Sequence, residues 1–222
     1  MAAVESSPAV NPYEAPKTRT AGRELPRLAV RARVARALLF LHVPAVVIGA
    51  SVITARRMGW TTGNGQTALL VVAALLGFVA LLLRLAEIVA FCLWIHAAYV
   101  RATSVAAGAR FTPAASVGWW FAPIANFWMP FEVVSHLWRL SRGGNDWERC
   151  RSPAYLGVWW GCWCVSSLLG AAAFVLRYID DAGPWIDIVN WVGPALSVVA
   201  TLLAMRLIRD ITAMQYDRLE VE

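Results

Sequence analysis

The sequence predicts an all-α, polytopic membrane protein with four transmembrane helices and one interfacial amphipathic helix on the cytoplasmic side. Three observations carry this reading. Of 222 residues, 59% are hydrophobic and only 15% are charged, against about 45–50% and about 25% in soluble domains. Twelve residues are Trp, the side chain that concentrates at bilayer interfaces. The basic residues sit between long apolar runs rather than within them, which is how membrane orientation is written into a chain.

The same numbers exclude several classes: a disordered chain, a secreted disulfide scaffold and an ordinary soluble enzyme. A net charge of +6 and a pI near 9.6 invite a nucleic-acid reading. That reading needs basic residues gathered on one soluble face beside base-stacking aromatics. Here they flank apolar runs, so no nucleic-acid partner is expected. Cys92, Cys162 and Cys164 lie inside apolar runs, and with Cys150 they lack the spacing of a redox or zinc pair.

Residues 1–35 are polar and carry Pro8, Pro12, Pro16 and Pro26, with no hydrophobic region after Met1. No signal peptide is predicted, and the stretch reads as a flexible cytoplasmic tail. A helical span needs about 20 apolar residues. Four runs qualify: 37–55, 68–100 (interrupted only by Arg84 and Glu87), 153–176 and 188–205. The domain predicted over 36–215 leaves a short cytoplasmic C-terminus, 216–222. Past Arg206, Leu207, Ile208, Ile211 and Met214 keep helical spacing, so the fourth helix is expected to continue beyond its span.

A fifth uncharged run, Phe111–Phe131, is long enough to cross. Pro113, Pro123 and Pro130 argue against it, because each lacks an N–H and unpaired backbone in lipid costs several kcal/mol per group. Charge decides the matter. Four spans divide the Lys and Arg residues sixteen to three with Arg84 set aside, whereas five divide them ten to nine. Positive-inside bias selects four spans with both termini cytoplasmic. Phe111–Phe131 then lies in the cytoplasmic interface, with Trp119, Trp120, Phe121, Phe127 and Trp128 at headgroup depth. From Phe131 to Arg142, Val133, Val134, Leu137, Trp138 and Leu140 share one helical half, while Glu132, Ser135, His136, Arg139 and Arg142 share the other. The segment 111–142 therefore predicts an in-plane helix whose basic side chains meet anionic lipid headgroups. A soluble amphipathic helix packed on a small domain has the same pattern.

The run Trp119-Trp120-Phe121-Ala122-Pro123-Ile124-Ala125-Asn126-Phe127-Trp128-Met129-Pro130-Phe131, followed by Trp138-Arg139, resembles the hallmark of a bacterial integral-membrane family. This is the domain-of-unknown-function family numbered forty-three twenty-eight, whose members read W-F-x-P-x-x-N-x-W-x-P-[YF]. Leu156-Gly157 with Trp159, Trp160 and Trp163 resembles the opening of its third span. Trp94 and Tyr99 match its second, although Arg101 stands where Asn is expected. The resemblance implies four spans and supplies no activity.

The candidate functional residues are Arg84, Glu87, Pro123, Asn126, Trp128, Pro130, Trp138 and Arg139. Arg84 and Glu87 are three apart on one helix, close enough to pair, and an ionisable group in a span is either a structural pair or a functional one. Asn126 stands between two prolines whose neighbouring carbonyls it could satisfy. His42 and His96 are interface or core residues before they are haem ligands, and no cofactor is expected. No G-x-S-x-G, H-E-x-x-H or phosphate loop is present, so no enzyme is predicted. The leading expectation is a non-catalytic scaffold whose Trp/Pro loop and amphipathic helix contact the bilayer and a protein partner on the cytoplasmic side. The alternative is a small transporter or lipid-handling protein that uses the intramembrane Arg/Glu pair.

Overall fold

The computed structural model describes residues 17–60, 64–106, 108–176 and 185–217. Six α-helices account for most of them: α1 Lys17–Arg57, α2 Asn64–Val105, α3 Pro113–Gly118, α4 Met129–Gly143, α5 Ala154–Leu176 and α6 Trp185–Asp217. Short 3₁₀ turns at Trp119–Phe121, Ala125–Phe127 and Gly144–Arg149 link them. No strand occurs among the described residues. Helices α1, α2, α5 and α6 are each long and apolar enough to cross a membrane, and each predicted span coincides with one of them, Pro153 alone lying just ahead of α5. Side chains such as Leu75, Phe78, Val79, Leu81, Leu168 and Phe174 stand exposed along them, a pattern that suits hydrocarbon and would be an aggregation hazard in water. The chain is a multi-pass membrane protein.

The four helices pack antiparallel in the spatial order α2, α1, α6, α5. Three of them continue past the apolar stretch at the same end of the bundle, where α3, α4 and the 3₁₀ turns form a cap. Buried there are Leu28, Ala32 and Ala35 of α1, Trp94, Ala98 and Tyr99 of α2, and Leu207, Ile208 and Ile211 of α6. The described part of the tail is thereby corrected. Residues 17–35 are helical, and Leu28, Ala32, Ala35 and Leu39 form a buried stripe at spacings of four and three, the seam of two helices packed side by side. Residues 1–16 lie outside the described part.

The run 111–131 does not cross. Its prolines fall where a missing N–H is harmless. Pro113 opens α3 beneath Thr112, whose hydroxyl accepts from the Ala115 N–H at 3.1 Å, and Pro130 sits in the first turn of α4. Helix α4 forms where its periodicity puts it and ends at Gly144, whose φ of 55° favours glycine.

The surroundings of α4 differ from the expectation. Its polar half is covered by protein rather than left to headgroups: Ser135, His136 and Ser141 are buried, and only Arg142 of its basic residues is fully exposed. Gln215 Nε2 donates to Ser141 Oγ at 2.8 Å and to the Ala98 carbonyl at 3.1 Å, tying α6 to α4 and α2. Trp94 Nε1 donates to Thr212 Oγ1 at 3.2 Å. The helix is a buried keystone because three neighbouring helices outrun the bilayer and supply partners for its polar side.

His136 shows how tightly that side is closed. The Arg110 N–H donates to its Nε2 at 3.3 Å, so Nε2 is the acceptor and Nδ1 carries the proton. Nδ1 then donates to the Tyr99 hydroxyl at 3.2 Å, which in turn donates to the Val133 carbonyl at 2.7 Å. Burial, with Arg139 and Arg110 nearby, pushes the His136 pKa down to about 4. The folded state thus holds a neutral imidazole that the unfolded chain protonates near pH 6.5. Stability is full above pH 6.5, falls as pH drops from 6.5 to about 4, and loses nothing more to this group below that. One pKa unit is about 1.4 kcal/mol, so the loss is at most about 3.5 kcal/mol. Melting of the detergent-solubilised chain across this pH range is expected to show that decline. His136→Asn, with no imidazole to protonate, is expected to lower the plateau and flatten the slope.

Candidate functional site

Arg84 and Glu87 occupy one face of α2, and Arg84 Nη1 donates to Glu87 Oε2 at 3.1 Å. The pair expected from their spacing is present. Its members are unequal, for the Arg84 side chain is 43% exposed while that of Glu87 is 3% exposed. Two other helices reach the buried carboxylate. His42 of α1 brings Nδ1 to 3.1 Å from Glu87 Oε1, and its Nε2 stands 3.1 Å from Ser197 Oγ on α6. Glu87 Oε1 receives no well-aligned hydrogen bond, so the His42 contact is close without being linear. The string Arg84–Glu87–His42–Ser197 ties three helices together where α1, α2 and α6 leave the cap and enter the apolar stretch.

Arg84, Glu87 and Ser197 of this string border a cavity of about 350 Å³. Helix α5 packs on α6 rather than on α2, which leaves a gap between α2 and α5. Ala200 and Ala204, one turn apart on α6, keep its floor low, and Thr201 and Ser197 add hydroxyls. Trp120, Phe121 and Asn126 from the proline-rich loop close the cap side. The loop is anchored by aromatic packing. Trp120 meets Phe91 edge-on at 5.0 Å and Trp160 at 5.8 Å, while Trp160 stacks on Trp163 at 4.7 Å. Trp160 Nε1 also donates to the Phe127 carbonyl at 3.0 Å.

Three polar atoms in the cavity wall are buried without a hydrogen-bond partner: Glu87 Oε1, Asn126 Oδ1 and Trp120 Nε1. An unpaired buried polar group costs about 1–3 kcal/mol, so these lining residues give up stability beside the cavity. Asn126 does not act as expected toward the prolines: its backbone N–H, rather than its side chain, donates to the Ala122 carbonyl at 2.8 Å.

The other predicted residues scatter. Pro123 and Trp128 are exposed on the cap, and Pro130 is buried at the start of α4. Trp138 is corrected from a contact residue to a core one, 7% exposed and edge-on to Tyr155 at 5.8 Å. Arg139 lies over the Trp147 ring at 5.9 Å and is half-buried. His42 and Ser197 escape the sequence reading as site residues. Their only signal is a polar side chain inside an apolar run, which marks a candidate but names no partner. A larger groove of about 1010 Å³ lies toward the other end of α1 and α2, lined by apolar side chains apart from Arg56 and Asn190. It has the character of a lipid-filled crevice and holds none of this chemistry.

The unequal burial sets the expected outcome of breaking the pair. Arg84→Leu strands a buried carboxylate and is expected to cost about 3 kcal/mol, the lower end for a broken buried pair. Glu87→Leu leaves an arginine that can extend to the interface and is expected to cost less. Arg84→Leu combined with Glu87→Leu is expected to melt above Arg84→Leu alone in detergent. Equal melting of all three variants would show that the two side chains do not support one another.

No curated relative and no solved structure matches the chain. The model of a family described as "Domain of unknown function (DUF4328)" matches residues 61–213, which takes in α2, the loop, the α4 cap, α5 and most of α6. That is more than half of the chain and nearly all of the cavity wall, and on this match the protein belongs to the DUF4328 family.

Proposed function

We propose that this protein handles a membrane lipid or similar amphiphile, holding its polar end in the cavity between α2 and α5. One observation carries the reading: the buried Glu87 carboxylate, paired with Arg84, stands at a cavity of about 350 Å³ whose wall is mostly aromatic and aliphatic, with Asn126, Ser166, Ser197 and Thr201 as its other polar side chains. Ligand pockets start at about 300 Å³ and pair an apolar lining with a few convergent polar groups. The charges Arg84 and Glu87 offset one another, which favours a neutral or zwitterionic polar end over a simple anion.

The placement in the cell follows from charge. Sixteen basic residues against three favour both termini and the cap in the cytoplasm of a bacterial cell, with the chain in its inner membrane. The cavity then draws on the cytoplasmic leaflet. Arg142 and Arg110, both exposed on the cap, are suited to attract anionic headgroups at about 1 kcal/mol each. Reporter fusions after residues 30, 145 and 220 are expected to read cytoplasmic, and one near Gly63 periplasmic. A periplasmic signal at 145 would refute this orientation.

A scaffold role is the second reading, favoured by one patch. Phe121, Ile124, Phe127 and Trp128 are 50–75% exposed along the loop, and such a patch suits either the headgroup layer or a partner. A photoactivatable phospholipid in nanodiscs containing the full chain separates the two. Lipid handling expects crosslinks on Trp159, Trp163 and Ser166 of α5, which line the cavity, and their loss in Ala200→Phe, which fills the floor at about 1–3 kcal/mol of overpacking. Crosslinks that Ala200→Phe leaves unchanged would mean that lipid touches only the outer surface, and would leave the scaffold reading standing.

A further inference from the structure

We propose that Ser197, His42 and Glu87 form a nucleophile–base–acid relay, and that Ser197 is an acyl-accepting nucleophile toward a carboxylic ester in the cavity. The proposal rests on the binding reading for its substrate and adds chemistry to it. The geometry uses the two imidazole nitrogens as such a relay requires. The carboxylate stands 3.1 Å from Nδ1, and the hydroxyl stands 3.1 Å from Nε2. A carboxylate beside Nδ1 favours the Nδ1–H tautomer, and the Nε2 lone pair is then free to take the Ser197 proton. Triads are recognised by such roles and not by sequence order. Here the three members come from three helices, and no local motif marks them.

The surroundings support the assignment. Glu87 is 3% exposed, and Arg84 holds its second oxygen at 3.1 Å, which fixes the position of the carboxylate beside the base. Its first oxygen has no aligned donor and is ready to receive the Nδ1–H when His42 becomes cationic; such contacts commonly tighten only when the reaction proceeds. Ser197 lines the cavity, whose wall also carries Thr201 and Asn126 with their hydroxyl and amide groups. These are the donor types that stabilise an oxyanion.

The steps balance without any oxidant or metal. Ser197 Oγ attacks the ester carbonyl carbon, forming a C–O bond as its proton passes to His42 Nε2. The tetrahedral oxyanion collapses, the bond to the alkoxy oxygen breaks, and His42 delivers the proton to the departing alcohol. A water molecule then gives a proton to His42 and attacks the acyl-Ser197, releasing a carboxylic acid as His42 returns the proton to Ser197. The net reaction is ester plus water to acid plus alcohol. A lipid acyl ester fits the cavity's position in the leaflet.

The test uses the full chain in nanodiscs and a fluorophosphonate, which phosphonylates activated serines. The expected result is a single adduct mapped by mass spectrometry to Ser197, absent from Ser197→Ala. His42→Gln is expected to slow labelling by at least about a hundredfold, the usual scale of general-base assistance. If His42→Gln does not melt cooperatively, Glu87→Gln takes its place with the same expected direction. No adduct on Ser197, or labelling at the parental rate without the base, overturns the proposal. Photo-crosslinking of lipid in the same preparation keeps the two readings apart. Crosslinks on α5 with an inert Ser197 refute the nucleophile alone, whereas an adduct without those crosslinks refutes the lipid reading.

Discussion

Helix α2 has 42 residues, which at about 1.5 Å per residue makes a rod about 63 Å long. A bilayer's hydrocarbon core is about 30 Å thick, so roughly half of the helix must find cover elsewhere. Helices α1 and α6, with 41 and 33 residues, meet the same mismatch at the same end. Their overhanging parts carry Leu28, Tyr99 and Ile208, which no aqueous compartment would tolerate exposed. The cap answers this demand. With α4 inserted among the overhangs, the chain acquires a soluble-type core continuous with the membrane bundle, and the polar half of α4 becomes an internal fastening in place of a wetted face.

That arrangement explains where polar groups are allowed. Inside the cap, His136, Tyr99, Ser141 and Gln215 are buried and bonded to one another's helices across α2, α4 and α6, so they lock those helices in one register. Satisfaction is incomplete in places, at Gln215 Oε1 and Trp138 Nε1 within the cap and again at the boundary between cap and span. Glu87 has Arg84 and His42 close by, yet one carboxylate oxygen remains unfilled, as do Asn126 Oδ1 and Trp120 Nε1. A fold that leaves three open polar atoms around one cavity gives up stability there, and departures of that kind gather at sites of function.

The four spans are legible in the sequence because an uncharged run of about 20 residues is a local property that needs no partner. The Arg84–Glu87 pair is legible for the same reason, since three residues along a helix bring two side chains together whatever the tertiary fold. The tail reads as flexible because it is polar and carries Pro8, Pro12, Pro16 and Pro26, although Pro26 proves to lie inside α1. The opposing signal lies underneath, in Leu28, Ala32, Ala35 and Leu39 at heptad spacing, which small alanines make easy to miss. Periodicity places α4 but is silent on what covers its polar half. The contact of His42 with Ser197 is beyond sequence reasoning: 155 residues separate them, and only the packing of α1 against α6 brings them together.

The Trp-rich loop joins these threads. A gap between two apolar helices closes unless something holds it open, because dispersion attraction between their side chains favours collapse. Trp120 stands edge-on against Phe91 of α2 and against Trp160 of α5, and Trp160 is itself stacked on Trp163. Rigid rings wedged between the helices keep them apart at the cap end, and the small Ala200 and Ala204 leave the space beneath unfilled. Flexible leucines in those positions would pack the gap shut. The loop is therefore a spacer and roof through Trp120, while Phe121, Ile124, Phe127 and Trp128 stay exposed. Its aromatic content, which in the sequence reads as an interface signal, is in the fold what maintains a cavity beside Glu87.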